Sequence, residues 1–414
     1  MVRRTPSEAT EDIVDKSDTR PDNLYPEWSW EHVRTYVAVR RGDEYSDEQI
    51  EILAKQDIVM LEKMNGHETH GSVEKGALEA AKRIKAVNPK VKILFYLNTM
   101  LHYGGKKLIP HKLDVFLKGH SYTNQLSSLP GYDANKKFKD EWALTHGENN
   151  EAYKWRNVVV SYDHTNVEFR SWWVQRALDM LAHDEIDGIF IDAICKTHHN
   201  VLRRLKGASF VDQHANAYLE TAKELREKLP AGKILIGNVI RAGNRDDGNY
   251  GNLQHLDGSY LENWSDTNQL TTTIQLMSKA LKENKIIMLN ADMNHVDLSH
   301  ISTLDDRYTH LNQPEFIDFP LGIFLLVVEP HAYFSYHVGV DLKPNRRSGL
   351  MLTAFDNTRF DAITRKLGKP LGDYVDVGEG GFTREFEFLK VMVNVITRQG
   401  TLTVKGDKLG GDEL

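Results

Sequence analysis

The feature that most constrains this chain is an alternation. From about Val33 to Asp341, short runs of β-branched and aliphatic residues take turns with longer stretches whose apolar residues recur every three or four positions. That rhythm is the sequence mark of parallel βαβ units. The apolar runs read as strands at Arg34 to Arg40, Ile58 to Met64, Val91 to Asn98, Ile186 to Asp192, Lys233 to Asn238, Gly258 to Glu262, Ile286 to Asn290 and Ala332 to Val338. Between them, Ser46 to Lys55, Val73 to Val87, Val167 to Ala182 and Ala215 to Leu229 carry helical spacing. Ser46 stands before Asp47 and Glu48 as a cap, and Asn88-Pro89 and Pro230 stop helical patterns just before strands.

A closed barrel and an open doubly wound sheet both satisfy such an alternation. No glycine-rich phosphate loop follows an early strand, which favours the barrel. The expected fold is therefore α/β, a (β/α)₈ TIM barrel over residues 31–345. An N-terminal extension (1–30) precedes it, and a small C-terminal β elaboration with a polar tail (346–414) follows. A loop of about 50 residues, His102 to Trp155, follows the third strand, and segments of that length are usually functional or partly disordered. Asn157 to Tyr162 reads as an extra strand at the rim.

With 414 residues, 40% hydrophobic and 27% charged, the chain can bury a sizeable core. A net charge of -7 offers no positive field for a nucleic-acid backbone. No apolar run is long enough to span a membrane, and the lone Cys195 excludes an intrachain disulfide. Residues 1–23 are polar without a signal-peptide core, so the compartment stays open: periplasmic or secreted if a leader has been removed, cytoplasmic otherwise.

In a parallel barrel the active site gathers at the C-terminal ends of the strands, so polar residues ending apolar runs are the informative ones. Asp192 ends Asp187-Gly-Ile-Phe-Ile-Asp192, where an ionised carboxylate needs partners or a task. Glu262, in Tyr260-Leu-Glu-Asn-Trp264, is the natural second carboxylate; the alternative is a structural ion pair with Arg241. Two such carboxyls can divide into a nucleophile or base and a proton donor. Around them Glu62, Tyr96, Asn98, His102, Tyr162, Lys196, His198, Asn238, Arg241, Asp292 and His337 are candidate substrate contacts, and Trp264 a candidate sugar-stacking platform. Asp163 is either a further contact or part of a capping turn before the Val167 helix. The adjacent His198 and His199 make a poor metal pair, and the chemistry calls for neither metal nor cofactor.

The pattern Val158-Val-Val-Ser-Tyr-Asp-His-Thr-Asn166, an amphipathic helix and then Ile186-Asp-Gly-Ile-Phe-Ile-Asp192 resembles the TIM-barrel glycoside hydrolases of the hypothetical glycosyl hydrolase family 15 type. Leu367-Gly-Lys-Pro-Leu-Gly372, Thr383-Arg-Glu-Phe386 and Val391-Met-Val-Asn394 are similar to their closing β segment. The resemblance covers about Thr35 to Asn394, and it implies a fourth-strand nucleophile and a sixth-strand acid/base, which fall on Asp192 and Glu262. Hydrolysis of an oligosaccharide or polysaccharide is the first expectation. A lyase or dehydratase acting on uronate-containing oligosaccharides, using Arg241, Lys196, Tyr162 and histidines, and a non-catalytic carbohydrate-binding barrel are the alternatives.

Overall fold

A computed structural model describes residues 24–102, 137–148, 150–155, 159–196, 200–243, 247–265, 268–291, 296–298, 300–336, 342 and 354–405. Eight parallel strands follow one another in sequence order: β1 (Tyr36–Val39), β2 (Ile58–Leu61), β3 (Lys92–Asn98), β4 (Gly188–Asp192), β5 (Ile234–Asn238), β6 (Gly258–Leu261), β7 (Ile286–Asn290) and β8 (Ala332–Ser335). A parallel bridge between Thr35 and Phe334, with the Phe334 amide donating to the Arg34 carbonyl at 2.9 Å, closes the sheet on itself. The barrel expected from the alternation is the barrel found.

Strand periodicity decides which side chains meet inside. Alternate residues of each strand, such as Leu94 and Tyr96, Ile234 and Ile236, or Ile286 and Met288, form one buried cluster in the barrel interior. Their neighbours, such as Phe95 and Ile189, point outward into a larger cluster beneath the helices. Each fully buried aliphatic side chain of this kind contributes about 1.5–3 kcal/mol. The helices include α1 (Asp47–Leu53), α2 (Val73–Val87), α3 (Val167–Leu181), α4 (Ala208–Lys228), α5 (Leu270–Lys282) and α6 (Pro314–Val327), with others such as Asn200–Lys206 and Leu304–Leu311 between. Ser46 caps α1 in a reciprocal box with Gln49, and Asn166 caps α3 by accepting from the Phe169 amide. Where a fifth outer helix would stand, the chain makes only a 3₁₀ turn, Tyr250–His255. Gly248 and Asn249 just before it are both left-handed, which stops a regular helix from starting earlier.

The floor is pinned by a repeated device that periodicity does not reveal. Asp57, Asp187 and Asp257 stand just before β2, β4 and β6, and each carboxylate accepts the backbone N–H of a residue at the start of the preceding strand: Thr35, Ile93 and Leu235 at 2.9, 2.7 and 2.7 Å. A cation neutralises each one, namely Arg34, Lys85 and Arg226. Leu24 joins the interior cluster and Tyr25 packs on His331, so the residues before β1 help seal that end.

Most of the loop after β3 lies outside the described residues. Its return includes a short antiparallel ladder in which Val159–Val160 pairs with Lys154–Trp155, so the rim strand read at Asn157 to Tyr162 is present in shortened form. The C-terminal elaboration is a four-stranded antiparallel sheet of β9 (Val375–Gly378), β10 (Gly381–Glu385), β11 (Leu389–Asn394) and β12 (Gln399–Val404). It packs on α6, where a Cβ at Gly400 would sit 2.3 Å from the Asp318 carbonyl oxygen, a closeness only glycine permits. Arg384 secures the contact by donating to the Leu326 and Val328 carbonyls and pairing with Glu329. Among the described residues no helix is long and apolar enough to cross a membrane.

Candidate active site

The alternation that fills the barrel also sets its crown. Continuing the inward series upward by two residues ends at Arg40 one residue past β1, Glu62 one residue past β2, Asn98 on β3, Asp192 on β4, Asn238 on β5, Glu262 one residue past β6 and Asn290 on β7. Apolar layers below and polar tips above follow from one periodicity.

Asp192 is held by three side-chain contacts and one backbone contact. The Tyr96 hydroxyl donates to Oδ2 at 2.5 Å and Asn98 Nδ2 donates to the same oxygen at 3.0 Å. Asn238 Nδ2 donates to Oδ1 at 3.0 Å, as does the Ala193 amide at 2.7 Å. The same Asn238 nitrogen donates to Glu262 Oε1 at 3.0 Å. Arg241 steadies this bridge by donating to Asn238 Oδ1 at 2.8 Å, to Glu262 Oε1 at 2.9 Å and to the Glu262 carbonyl. Because one amide nitrogen reaches both carboxyls at 3.0 Å, the two accepting oxygens stand no more than about 6 Å apart.

The surroundings push the two acids in opposite directions. Burial drives Asp192 up, but Lys63, the Tyr96 hydroxyl, Lys196 and the Asn238 amide pull down and together prevail, holding the carboxyl below the ordinary aspartate value. For Glu262 burial also pushes up, and it outweighs the downward pull of Arg241; the Asp192 charge adds to the rise, so this carboxyl sits above the ordinary glutamate value. Glu262 keeps 34% of its side-chain surface open, so it lies in a mouth that is accessible yet densely walled by protein. Two neighbouring carboxyls whose surroundings push them in opposite directions can divide into a nucleophile or base and a proton donor.

Both acids are followed by left-handed residues, Ala193 at φ 68° and Asn263 at φ 49°. For alanine that conformation costs about 1–2 kcal/mol. Here it aims the Ala193 amide back at the Asp192 carboxylate.

The other candidates separate into three groups. Tyr96, Asn98, Asn238 and Arg241 hydrogen-bond the two acids, Glu62 pairs with Lys63, and Lys196 stands exposed on the 3₁₀ turn after β4, close enough to act on Asp192 electrostatically. Elsewhere, His102 and Tyr162 are buried together, the histidine stacked on Phe138 at 4.1 Å and the Tyr162 hydroxyl 3.3 Å from His102 Nδ1. Their side-chain bonds go to each other and to Arg176, not to either acid, because ring packing with Phe138 and Trp172 turns them into the rim. Asp163 accepts from the Thr165 amide and hydroxyl, which makes it the capping turn before α3. Trp264 is 3% exposed and spends its indole N–H on the Asn290 carbonyl, so it offers a sugar no face; the residue after Asn263 turns inward under α6. His198, Asp292 and His337 lie outside the described residues.

Lys63 is the residue the strand-end reading missed. Its ammonium lies 3.1 Å from Glu62 Oε2 and 4.2 Å above the Tyr96 ring, and it acts on both catalytic candidates. The buried Tyr36 hydroxyl, under the influence of Glu262 and Glu62, is a second. A cavity of about 300 Å³ between α2 and α3 is lined by Phe95 and Leu97, the outward residues of β3, so the barrel wall separates it from the acids. Among the described residues no three metal-ligating side chains cluster.

A closed (β/α)₈ barrel with paired carboxyls at its C-terminal mouth defines the class: a carbohydrate-active enzyme of glycoside hydrolase type. The model of hypothetical glycosyl hydrolase family 15 matches residues 85–390, well over half of the chain, and the chain belongs to that family. No curated protein sequence matches it. Among solved structures it is similar to a noncanonic maltogenic alpha-amylase from Thermotoga neapolitana, at 11% identity and TM-score 0.47 over 88% of this chain and 86% of that one. An alpha-amylase from Geobacillus thermoleovorans is similar at 10% identity and TM-score 0.45, over 88% and 87% of the two chains. A GH36 alpha-galactosidase from Geobacillus stearothermophilus is similar at 11% and TM-score 0.44, covering 87% of this chain but 47% of its own. Likenesses this distant say nothing about substrate.

Proposed function

We propose that the chain hydrolyses glycosidic bonds of an oligosaccharide or polysaccharide with retention of anomeric configuration, Asp192 acting as nucleophile and Glu262 as acid/base. The observation that carries this reading is the single amide of Asn238 donating to both carboxyls, each at 3.0 Å, which keeps the accepting oxygens within about 6 Å of each other. Retaining enzymes need about 5–5.5 Å, whereas inverting ones need about 6.5–9.5 Å to admit a water. The opposed pKa shifts support the same division of labour.

In the first step an Asp192 oxygen bonds to the anomeric carbon while the glycosidic C–O bond breaks, and the Glu262 proton passes to the departing alcohol oxygen. In the second, the Glu262 carboxylate takes a proton from water as the water oxygen bonds to the anomeric carbon and the ester to Asp192 breaks. Tyr96, Asn98 and Asn238 hold the carboxylate in line for attack, and Arg241 fixes Glu262 in place.

The test is covalent trapping. Incubation with activated 2-deoxy-2-fluoro glycosides is expected to add one glycosyl mass to the intact protein, on a peptide that contains Asp192. A label on any other carboxylate, with Asp192 unmodified, overturns the assignment.

A further inference from the structure

We infer that His164 is a positioning residue for the nucleophile, acting through Thr99 on the peptide that joins Asp192 to Ala193. This inference rests on the hydrolytic reading, in which Asp192 attacks.

The chain of contacts starts at the carboxylate. The Ala193 amide donates to Asp192 Oδ1 at 2.7 Å. A peptide unit is planar, so the direction of that N–H is tied to the direction of the Asp192 carbonyl on the other side of the same unit. Thr99 grips this carbonyl twice, its amide donating at 3.1 Å and its hydroxyl at 2.7 Å. Asn98, the preceding residue, donates to Oδ2. Two of the groups that hold the nucleophile thus depend on where Asn98 and Thr99 sit, and Thr99 lies just past the last residue of β3.

His164 supplies the hold on Thr99. Its Nε2 lies 2.6 Å from the Thr99 carbonyl oxygen, and a carbonyl only accepts, so Nε2 carries the proton. Nδ1 is then an acceptor, and the Thr221 hydroxyl stands 2.8 Å from it. Trp173 holds the neighbouring Asn98 carbonyl at 3.0 Å, which leaves the Thr99 half to His164. The imidazole is wholly buried, stacked on Tyr218 at 3.7 Å and met nearly at right angles by Phe169 and His214. Burial, then the neighbouring His214, pushes its pKa well below the usual histidine range, so the ring stays neutral and keeps a single donating N–H. A side chain so enclosed does not touch substrate. Packing accounts for a flat ring at this place, but not for an N–H aimed at the residue that clamps the nucleophile's carbonyl.

The experiment is the kinetics of covalent trapping of the full chain by 2,4-dinitrophenyl 2-deoxy-2-fluoro glycosides in the gluco, galacto and manno configurations. Trapping separates affinity, KI, from the rate of attack by Asp192, kinact. His164→Gln sets an amide nitrogen where Nε2 stands and keeps the donor, whereas His164→Asn reaches only the Nδ1 position. In the Asn variant kinact is expected to fall about 10–100-fold with KI within about threefold, and Gln should restore kinact to within about threefold of wild type. A merely structural role lowers the urea midpoint of both variants and leaves kinact unchanged in each. That result, equal kinact losses for Gln and Asn, or an effect confined to KI overturns the inference and leaves the hydrolytic reading standing. Thr99→Val reads the next link with the His164 ring intact, and it stands in if the Asn variant does not fold. Loss of the hydroxyl should lower kinact about tenfold, and an unchanged kinact overturns the inference, since a carbonyl that needs no grip from Thr99 is not positioned by His164. Wild-type protein that none of these reagents labels at Asp192 overturns the hydrolytic reading and this inference with it.

Discussion

Glu262→Gln separates proton donation from every other service of this side chain. Glutamine keeps the Oε1 acceptor, so the contacts from Arg241 at 2.9 Å and Asn238 at 3.0 Å persist and the barrel mouth holds its shape. What disappears is the proton that burial keeps on Glu262 above the ordinary glutamate range. General acid catalysis contributes about 10²–10⁴-fold, or about 2.7–5.5 kcal/mol at about 1.36 kcal/mol per decade. That full loss is expected in kcat/KM for a substrate with an alkyl alcohol leaving group. A 2,4-dinitrophenyl glycoside of the same sugar departs as a stable anion and needs no proton, so its kcat/KM should fall by less than about tenfold. Its kcat should fall more, because hydrolysis of the Asp192 ester still needs the base, and a burst of dinitrophenolate should precede the steady state. Steady-state and stopped-flow kinetics on the two substrates decide the matter. Equal losses on both, or none on either, would show that Glu262 does not deliver the proton.

Further expectations follow from the same contacts. The pH profile of kcat/KM should be bell-shaped, with activity lost on the acid side as Asp192 protonates below the ordinary aspartate value and on the alkaline side as Glu262 ionises above the ordinary glutamate value. Tyr96→Phe removes a contact that lowers Asp192, so the acid limb should move to higher pH; an unmoved limb contradicts the role given to that hydroxyl. Asp257→Ala strips the Arg226 partner and the Leu235 amide acceptor from the floor and should cost about 2–3 kcal/mol in urea unfolding, with a cost under about 1 kcal/mol refuting the pinning device. Burial first, and Arg176 second, push His102 down to about 4. Its neutral form is favoured in the fold, so the stability it contributes is present above pH about 6.5 and is lost as pH falls toward about 4, up to about 3 kcal/mol. His102→Gln should flatten that part of the stability profile, and an unchanged slope would contradict the assignment.

Much of the barrel and most of its crown were legible because both obey a period of two. Once Phe190 is placed inside, Asp192 must be inside as well, and the same step runs from Tyr96 to Asn98, from Ile236 to Asn238 and from Tyr260 to Glu262. Lys63 escaped because it lies past the end of β2, where the alternation stops and a long side chain settles over a ring. Trp264 misled for the same reason: beyond the strand, the left-handed turn at Asn263 decides direction, and it sends the indole under α6. His102 and Tyr162 read as strand-end polar aromatics, yet their partners Phe138 and Arg176 are distant in sequence, and such packing leaves no local pattern. The acceptor role of the three floor aspartates depends on strand register, which leaves no local pattern in the sequence.

The stereochemistry of the first-formed product tests the central claim most directly. Proton NMR of a reaction followed from its first minutes, before mutarotation, should show a new reducing end with the same anomeric configuration as the bond cleaved, the outcome of the proposed double displacement. A product of the opposite configuration would mean that water attacks directly, and that Asp192 never forms the bond on which the account depends.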